Sequence, residues 1–175
     1  DTVLVVDEAY AEFRRTGTPS ALELLDEFGH LVVARTMSKA FGCAGARIGY
    51  LAADARLVDM LRIVRLPYHL SAVTQAVALA ALAHADELQA QVSALRAERD
   101  ALAAALANSG YEVASSDANF LLFGMFNDRH EVWQRLLDRG VLIRETGPDG
   151  WLRVSVGTPA ETRTFLATLR EVDPR

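Results

Sequence analysis

Cysteine and lysine are almost absent from this chain. Among 175 residues there is one cysteine, Cys43, which excludes an internal disulfide and any multi-cysteine metal site. Lys39 is the only lysine among 18 Lys and Arg residues. No Gly-x-Gly-x-x-Gly fingerprint and no Walker loop is present, so nucleotide binding is not indicated. Positive charge is also short: 23 Asp and Glu outnumber the 18 cations, for a formal net charge of -5. That balance argues against a dedicated nucleic-acid binder, which needs a cationic surface to neutralise phosphates. The longest uninterrupted apolar run covers residues 76–83, far short of the roughly 20 residues of a membrane helix, and no secretory leader pattern is visible. The histidines (His30, His69, His84 and His130) are too dispersed for a metal cluster, so no metal is expected. What is plentiful is core material. Hydrophobic residues make up 51% and charged residues 23%, enough for one ordinary domain or two small ones. A soluble protein of a reducing, cytoplasmic compartment, with neither nucleic acid nor membrane as partner, is the expectation.

Residues 3–6 form a continuous Val/Leu run within a strand expected over 2–6, the pattern of a strand buried on both faces inside a parallel sheet. Such a strand needs neighbours on each side, and little sequence precedes it, so a fragment of a longer chain is expected. Residues 17–20 read as a loop, with Ser20 capping a short helix through Phe28. Residues 31–35 form a second buried strand, 36–45 a small-residue loop and 47–52 a third strand. Asp54 caps a helix running to about Arg65, which Pro67 stops. Residues 72–108 hold no Gly or Pro and read as one long helix. Leu88, Val92, Leu95, Leu102 and Leu106 fall at heptad spacing, interrupted by Arg99. Two or three heptads favour a helix packed on a domain over a coiled coil, and Gly110 closes it. Short elements follow: strands at 111–114 and 119–123, a helix at 131–139 closed by Gly140, and a strand at 141–144. A turn at 147–150, an alternating strand at 151–156 and an amphipathic helix at 159–172 complete the chain, with Trp133 and Trp151 expected in the core. Alternating strands and helices imply α/β layers. The division is residues 1–71, a partial parallel-sheet domain; 72–108, a helical region; and 109–175, a small α/β domain.

The chemistry gathers at Lys39. A lysine just after a buried strand hangs over the sheet edge, where desolvation would lower its pKa and free its amine as a nucleophile. Ser38, Gly42, Gly45 and Arg47 surround it in sequence; hydroxyl, backbone amides and guanidinium are what an anionic phosphate needs. Asp7 ends the first strand, at the edge where open α/β sheets place ligands. A carboxylate facing a lysine across such an edge suits a pyridinium held between them, its nitrogen kept protonated. The plainer readings are a surface-loop lysine and a helix-capping aspartate.

Several segments carry a resemblance. Val6-Asp7-Glu8-Ala9-Tyr10, Arg35-Thr36-Met37-Ser38-Lys39-Ala40-Phe41 and Ala44-Gly45-Ala46-Arg47-Ile48-Gly49-Tyr50 resemble the core of the fold-type I, PLP-dependent aminotransferases of class I/II. The run from Leu66 to Gln75, Ser116-Asp117-Ala118-Asn119-Phe120, Val141-Leu142-Ile143-Arg144 and the run from Leu152 to Thr158 resemble, within that family, the histidinol-phosphate aminotransferases of actinobacterial type. The resemblance covers nearly the whole chain. It implies an α/β fold of that type: a partial large-domain sheet, a long helix and a small C-terminal α/β domain. It implies pyridoxal 5'-phosphate (PLP) as cofactor, held covalently by Lys39, which then acts as general acid/base. Asp7 would pair with the ring nitrogen and Tyr10 would donate to the ring oxygen. Ser38 and Arg47 would bind the phosphate, with help from Thr36. Arg153 would grip a substrate carboxylate as a bidentate fork, and Arg144 the far anionic group. The implied reaction is transamination between L-histidinol phosphate and 2-oxoglutarate, with glutamate as the other amino donor, in a homodimer. Histidinol phosphate lacks an α-carboxylate, so both arginines would be anion receptors serving two substrates.

The family's chains are considerably longer. Its glycine-containing phosphate loop, the aromatic residue stacked on the ring and the asparagine on the ring oxygen precede the segments matched here. This chain is therefore expected to carry the lysine without completing the site. Aromatic amino-acid aminotransferases and threonine-phosphate decarboxylase-like enzymes share much of the pattern, and a non-catalytic α/β fragment is the reading from another class.

Overall fold

The computed structural model describes residues 2–175. The chain divides into two compact units, Asp1–Val92 and Ser93–Arg175.

The first unit is built on a three-stranded sheet of order β1-β2-β3, with β1 at Leu4–Asp7, β2 at Leu31–Thr36 and β3 at Gly49–Ala53. β1 and β2 are parallel, Leu4 opposite Leu31 and Asp7 opposite Ala34. β3 runs antiparallel to β2, Arg35 opposite Tyr50, so the sheet is mixed rather than parallel. A parallel return needs a crossover of a dozen or more residues, usually a helix. The link between β2 and β3 holds only a 3-10 turn, Ala44–Ala46, and brings the chain straight back. β2 is buried as its Val/Leu pattern predicts, with Leu31, Val32 and Val33 all in the core. β1 departs from expectation: Val3, Leu4 and Val5 are 52–59% exposed. Apolar side chains on both faces mark a strand that can be buried twice, but among the described residues β1 pairs with β2 alone.

Local signals place the other elements of this unit. Ser20 caps a 3-10 turn, Ala21–Leu24, through a reciprocal capping box with Glu23, where a helix through Phe28 is expected. Asp54 caps α1 (Ala55–Val64), its carboxylate accepting from the Arg56 amide at 2.9 Å. Ser71 caps α2 (Ala72–Ala83). The single helix expected over 72–108 is two, α2 and α3 (Ala85–Asn108), broken at His84. No Gly or Pro marks the break. The His84 amide bonds to the carbonyls of both Ala81 and Leu82, a tightened last turn that closes α2. Asp86 and Glu87 then open α3, where the helix dipole favours negative charge.

The second unit packs α3 residues, α4 (Arg129–Leu137) and α5 (Pro159–Val172) with an antiparallel sheet of β4 (Glu112–Val113), β5 (Phe120–Gly124) and β6 (Leu152–Ser155). Leu106, Phe123, Leu136 and Leu152 are completely buried at its centre. Arg99, the charged interruption in the heptad pattern, is 1% exposed. Its Nη1 donates to the Ala118 carbonyl at 3.1 Å and its Nε to Asp100 at 3.0 Å, partners a buried guanidinium requires. The strand expected over 141–144 reduces to one bridge, Arg144 with Arg153. Trp133 and Trp151 are partly rather than fully buried. Trp133 lies against the core and sends its Nε1 to the Ile143 carbonyl at 2.9 Å, an indole's usual compromise between apolar body and polar tip. Among the described residues no helix is long and apolar enough to cross a membrane.

Candidate active site

The carboxyl ends of β1 and β2 stand side by side because the two strands are parallel and in register. Residues leaving those ends reach the same place. An open depression of about 440 Å³ there is lined by Asp7, Arg35, Thr36, Ser38, Lys39 and Arg47, with the small residues Ala9, Ala34 and Ala44 leaving the space. Five of the six residues predicted to hold the cofactor thus share one surface. The sixth, Tyr10, joins them through Lys39, whose Nζ lies 5.5 Å from the Tyr10 ring centroid, within cation–π range.

The loop that presents Lys39 is fixed from below. Met37 and Ala40 are buried. The Met37 amide donates to the Ile48 carbonyl at 3.1 Å, and the Cys43 amide to the Met37 carbonyl at 3.0 Å. Thr36 Oγ1 accepts from the Ser38 amide at 3.1 Å, an ST-turn that closes the loop's first corner. Gly42 carries a φ of 64°, a conformation that glycine adopts freely. Gly49 begins β3, and a Cβ there would lie 2.6 Å from the Arg35 carbonyl oxygen, so glycine is what lets β3 approach β2. Arg47 sits in the left-handed region at φ 52°, which costs about 1–3 kcal/mol for a non-glycine residue. Its Nη1 donates to the Ala44 carbonyl at 3.0 Å, and its side chain remains on the wall of the depression.

Lys39 itself is exposed, against the expectation of a partly desolvated amine. Asp7 is exposed too, and one of its carboxylate oxygens accepts from the Ala9 amide at 2.9 Å.

Glu8 and Arg35 were not singled out in the sequence, although each adjoins a residue that was. The Glu8 carboxylate accepts from Arg35 Nη2 at 2.7 Å and Nε at 3.1 Å, from the Ala21 amide at 2.7 Å and from Ser20 Oγ at 2.8 Å. Burial alone would raise the Glu8 pKa. The Arg35 hydrogen bonds, the Ala21 amide and the Ser20 hydroxyl outweigh it and hold the group below the ordinary glutamate value. The consequence for stability has a definite sign. A depressed carboxylate contributes fully above its unfolded-state value, near about 4.3 for glutamate. It loses that contribution as pH falls through the lower folded-state value. Melting temperatures taken from pH 7 downward are expected to fall through that acid window in the wild type and to fall less in Glu8→Gln, which starts lower. Parallel curves for the two proteins would refute this.

The two arginines predicted to bind substrate lie in the second unit. Arg144 and Arg153 exchange both backbone hydrogen bonds, each 2.9 Å, so they are directly opposite residues of an antiparallel bridge. Arg144 is exposed. Arg153 is half-buried, its guanidinium carbon 4.6 Å from the Phe120 ring centroid, and its buried Nε has no hydrogen-bond partner. A buried, undonated guanidinium N–H costs free energy. The Asn119 backbone carbonyl accepts from the Val156 amide at 2.9 Å.

Comparison with known proteins gives one family. The profile of the class I and II aminotransferases matches residues 1–169. The histidinol-phosphate aminotransferase of Thermobifida fusca is 65% identical over 167 residues, covering 95% of this chain and 46% of that protein. That of Streptomyces avermitilis is 60% identical over 171 residues, covering 98% and 46%. The crystal structure of histidinol-phosphate aminotransferase from Sinorhizobium meliloti in complex with pyridoxal-5'-phosphate superposes with a TM-score of 0.86 at 32% identity, over 98% of this chain and 48% of that one. The chain spans about half the length of the curated relatives it matches.

Proposed function

The chain belongs to the class I and II aminotransferases, and from that premise we propose that it carries the lysine-bearing part of a PLP-dependent enzyme that moves an amino group between L-histidinol phosphate and 2-oxoglutarate. The observation that carries the proposal is the meeting of Lys39, Asp7, Thr36, Ser38 and Arg47 around one depression. The donor set fits the cofactor. It offers an amine, a carboxylate for a protonated ring nitrogen, and two hydroxyls with a guanidinium for a phosphate.

PLP, when bound, supplies an electron sink for the substrate's α-carbon. This chain would supply part of what holds and serves it. Lys39 Nζ anchors the cofactor and carries the proton that must leave one carbon and return to another. Asp7 keeps the ring nitrogen protonated, and the Tyr10 hydroxyl donates to the ring oxygen. Ser38 and Arg47, with Thr36, hold the phosphate. Arg153 and Arg144 receive the substrates' anionic groups, Arg153 with an unpartnered Nε. Both substrates are anionic, so one pair of receptors can serve the two half-reactions in turn. Residues 1–71 then belong to the cofactor-binding domain, 72–108 to the interdomain helical region and 109–175 to the small domain. The enzyme would work as a homodimer, as its resemblance to the family implies, in the cytoplasm, the compartment that its composition suggests.

Absorption spectroscopy tests the proposal. PLP added to the folded chain is expected to give a protein-bound visible band that changes on adding L-histidinol phosphate. A band that ignores this substrate and answers aromatic amino acids would move the assignment to the aromatic amino-acid aminotransferases. Absence of any bound band would overturn the proposal for this chain.

A further inference from the structure

Glu8 and Arg35 have no part in the roles assigned above, yet they lie at the centre of a polar cluster with Ser20, Ala21 and Glu12. Their side chains are 12% and 14% exposed. The Glu8 backbone amide donates to the Ala34 carbonyl at 2.8 Å, extending the β1–β2 ladder one residue beyond Asp7. The carboxylate then takes the Arg35 fork, which also donates from Nη2 to Ser20 Oγ at 3.0 Å. Glu12 lies 3.9 Å from Arg35 Nη1. One ion pair therefore joins the end of β1, the end of β2 and the capped turn after Ser20.

The position of this pair gives it a consequence for the site. Glu8 follows Asp7 directly, and Arg35 precedes Thr36, the residue whose hydroxyl closes the Lys39 loop. Arg35 also lines the depression. It is a third cation on that wall beside Lys39 and Arg47, but its fork is already engaged by a carboxylate at 2.7 Å. Arg35 Nε and Nη2 converge on one Glu8 oxygen, Oε2, while the Ala21 amide holds Oε1, and these charge-assisted contacts together fix the distance and the orientation between the two backbones. The pull of Arg35 on a bound anion is spent internally, leaving the phosphate to Arg47 and the loop.

We propose that Glu8 and Arg35 are a positioning pair that sets the separation between Asp7 and the Thr36–Lys39 loop, and that neutralises Arg35 so that it does not compete for the cofactor's anionic group. The proposal deepens the PLP reading and rests on it for the identity of the ligand, but the bracing of the loop can be measured without ligand.

The experiment uses the whole chain with Glu8→Gln, Arg35→Met and the double variant. Amide hydrogen exchange is read first, without cofactor. The Ser38 and Cys43 amides are expected to exchange about tenfold faster in each single variant, while in Glu8→Gln, which leaves the Arg35–Tyr50 contact across β2 and β3 in place, the amides pairing those strands stay at wild-type protection. Acceleration spread evenly over the sheet would mean ordinary destabilisation and would overturn the proposal, as would no change at all. PLP affinity is read second, from the bound absorption band. Each single variant is expected to bind about tenfold more weakly. The double variant is expected to be no weaker than the worse single, because the two residues act as one unit. Wild-type affinity in both singles would also overturn the proposal. A wild type that binds no PLP, with loop exchange still local to the variants, would sink the proposed function and leave the brace standing.

Discussion

Replacing Lys39 by alanine is expected to reduce covalent capture of PLP by this chain to background. The effect is large because nothing can substitute. Lys39 is the only lysine, so no other side-chain amine can take its place, and the arginines are locked in the protonated form. Lys39→Arg makes the sharper variant. It keeps a cation beside the Tyr10 ring and the Thr36 and Ser38 hydroxyls, and it removes only the nucleophile. Both variants are expected to lose the capture equally. Borohydride reduction of the PLP-treated chain followed by peptide mass spectrometry reads the result as an adduct on the peptide containing residue 39. An adduct retained in Lys39→Arg, or found in the wild type only on the terminal amine, would remove Lys39 from its proposed role. Melting temperature should barely move in either variant, since the side chain is exposed and the loop is held by Met37 and Ala40 beneath it.

Much of the site was legible because its signals are local. A buried Val/Leu strand followed by small residues and a single lysine predicts a loop at a sheet edge, and β2 with the 36–45 loop is that. The caps Ser20 and Asp54 each sit where a short polar side chain meets the first free amides of a helical turn. Non-local features were not legible. The direction of β3 depends on how the chain turns after Lys39, and the hydrophobic pattern of residues 47–52 is the same for either direction. The apolar run of β1 says which side chains avoid water, not which neighbour covers them. The break at His84 rests on backbone hydrogen bonds that Ala- and Leu-rich sequence permits without demanding. Arg99 looks like an exposed interruption until the Ala118 carbonyl is seen to accept from it. The Glu8–Arg35 pair spans 27 positions, and only the parallel register of β1 and β2 brings the two together.

The second large effect is one of stability and falls on Phe123. This residue is completely buried on β5. It is the hub of an aromatic cluster: its ring centroid lies 5.7 Å from Tyr111, 5.4 Å from Phe126 and 5.7 Å from Phe165, each near-perpendicular. Edge-to-face pairs of this kind add to the apolar area buried, and they join a β-strand, two loops and α5 through one side chain. Phe123→Ala removes the ring from a site with three aromatic walls, which cannot all collapse inward at once. A loss of about 3–5 kcal/mol is expected, a large share of the total for a unit of this size. Phe123→Leu keeps most of the volume and should cost less than half as much. Urea unfolding of both variants, compared at constant m-value, checks the size of the effect. A loss below about 1 kcal/mol for Phe123→Ala, the range of a surface substitution, would show that the second unit's core does not depend on this hub. Because β5 pairs with β6, with Leu122 opposite Arg153, the alanine variant is also expected to loosen the strand carrying Arg153. Its cost would then appear twice, as lost stability and as weaker binding of anionic substrates.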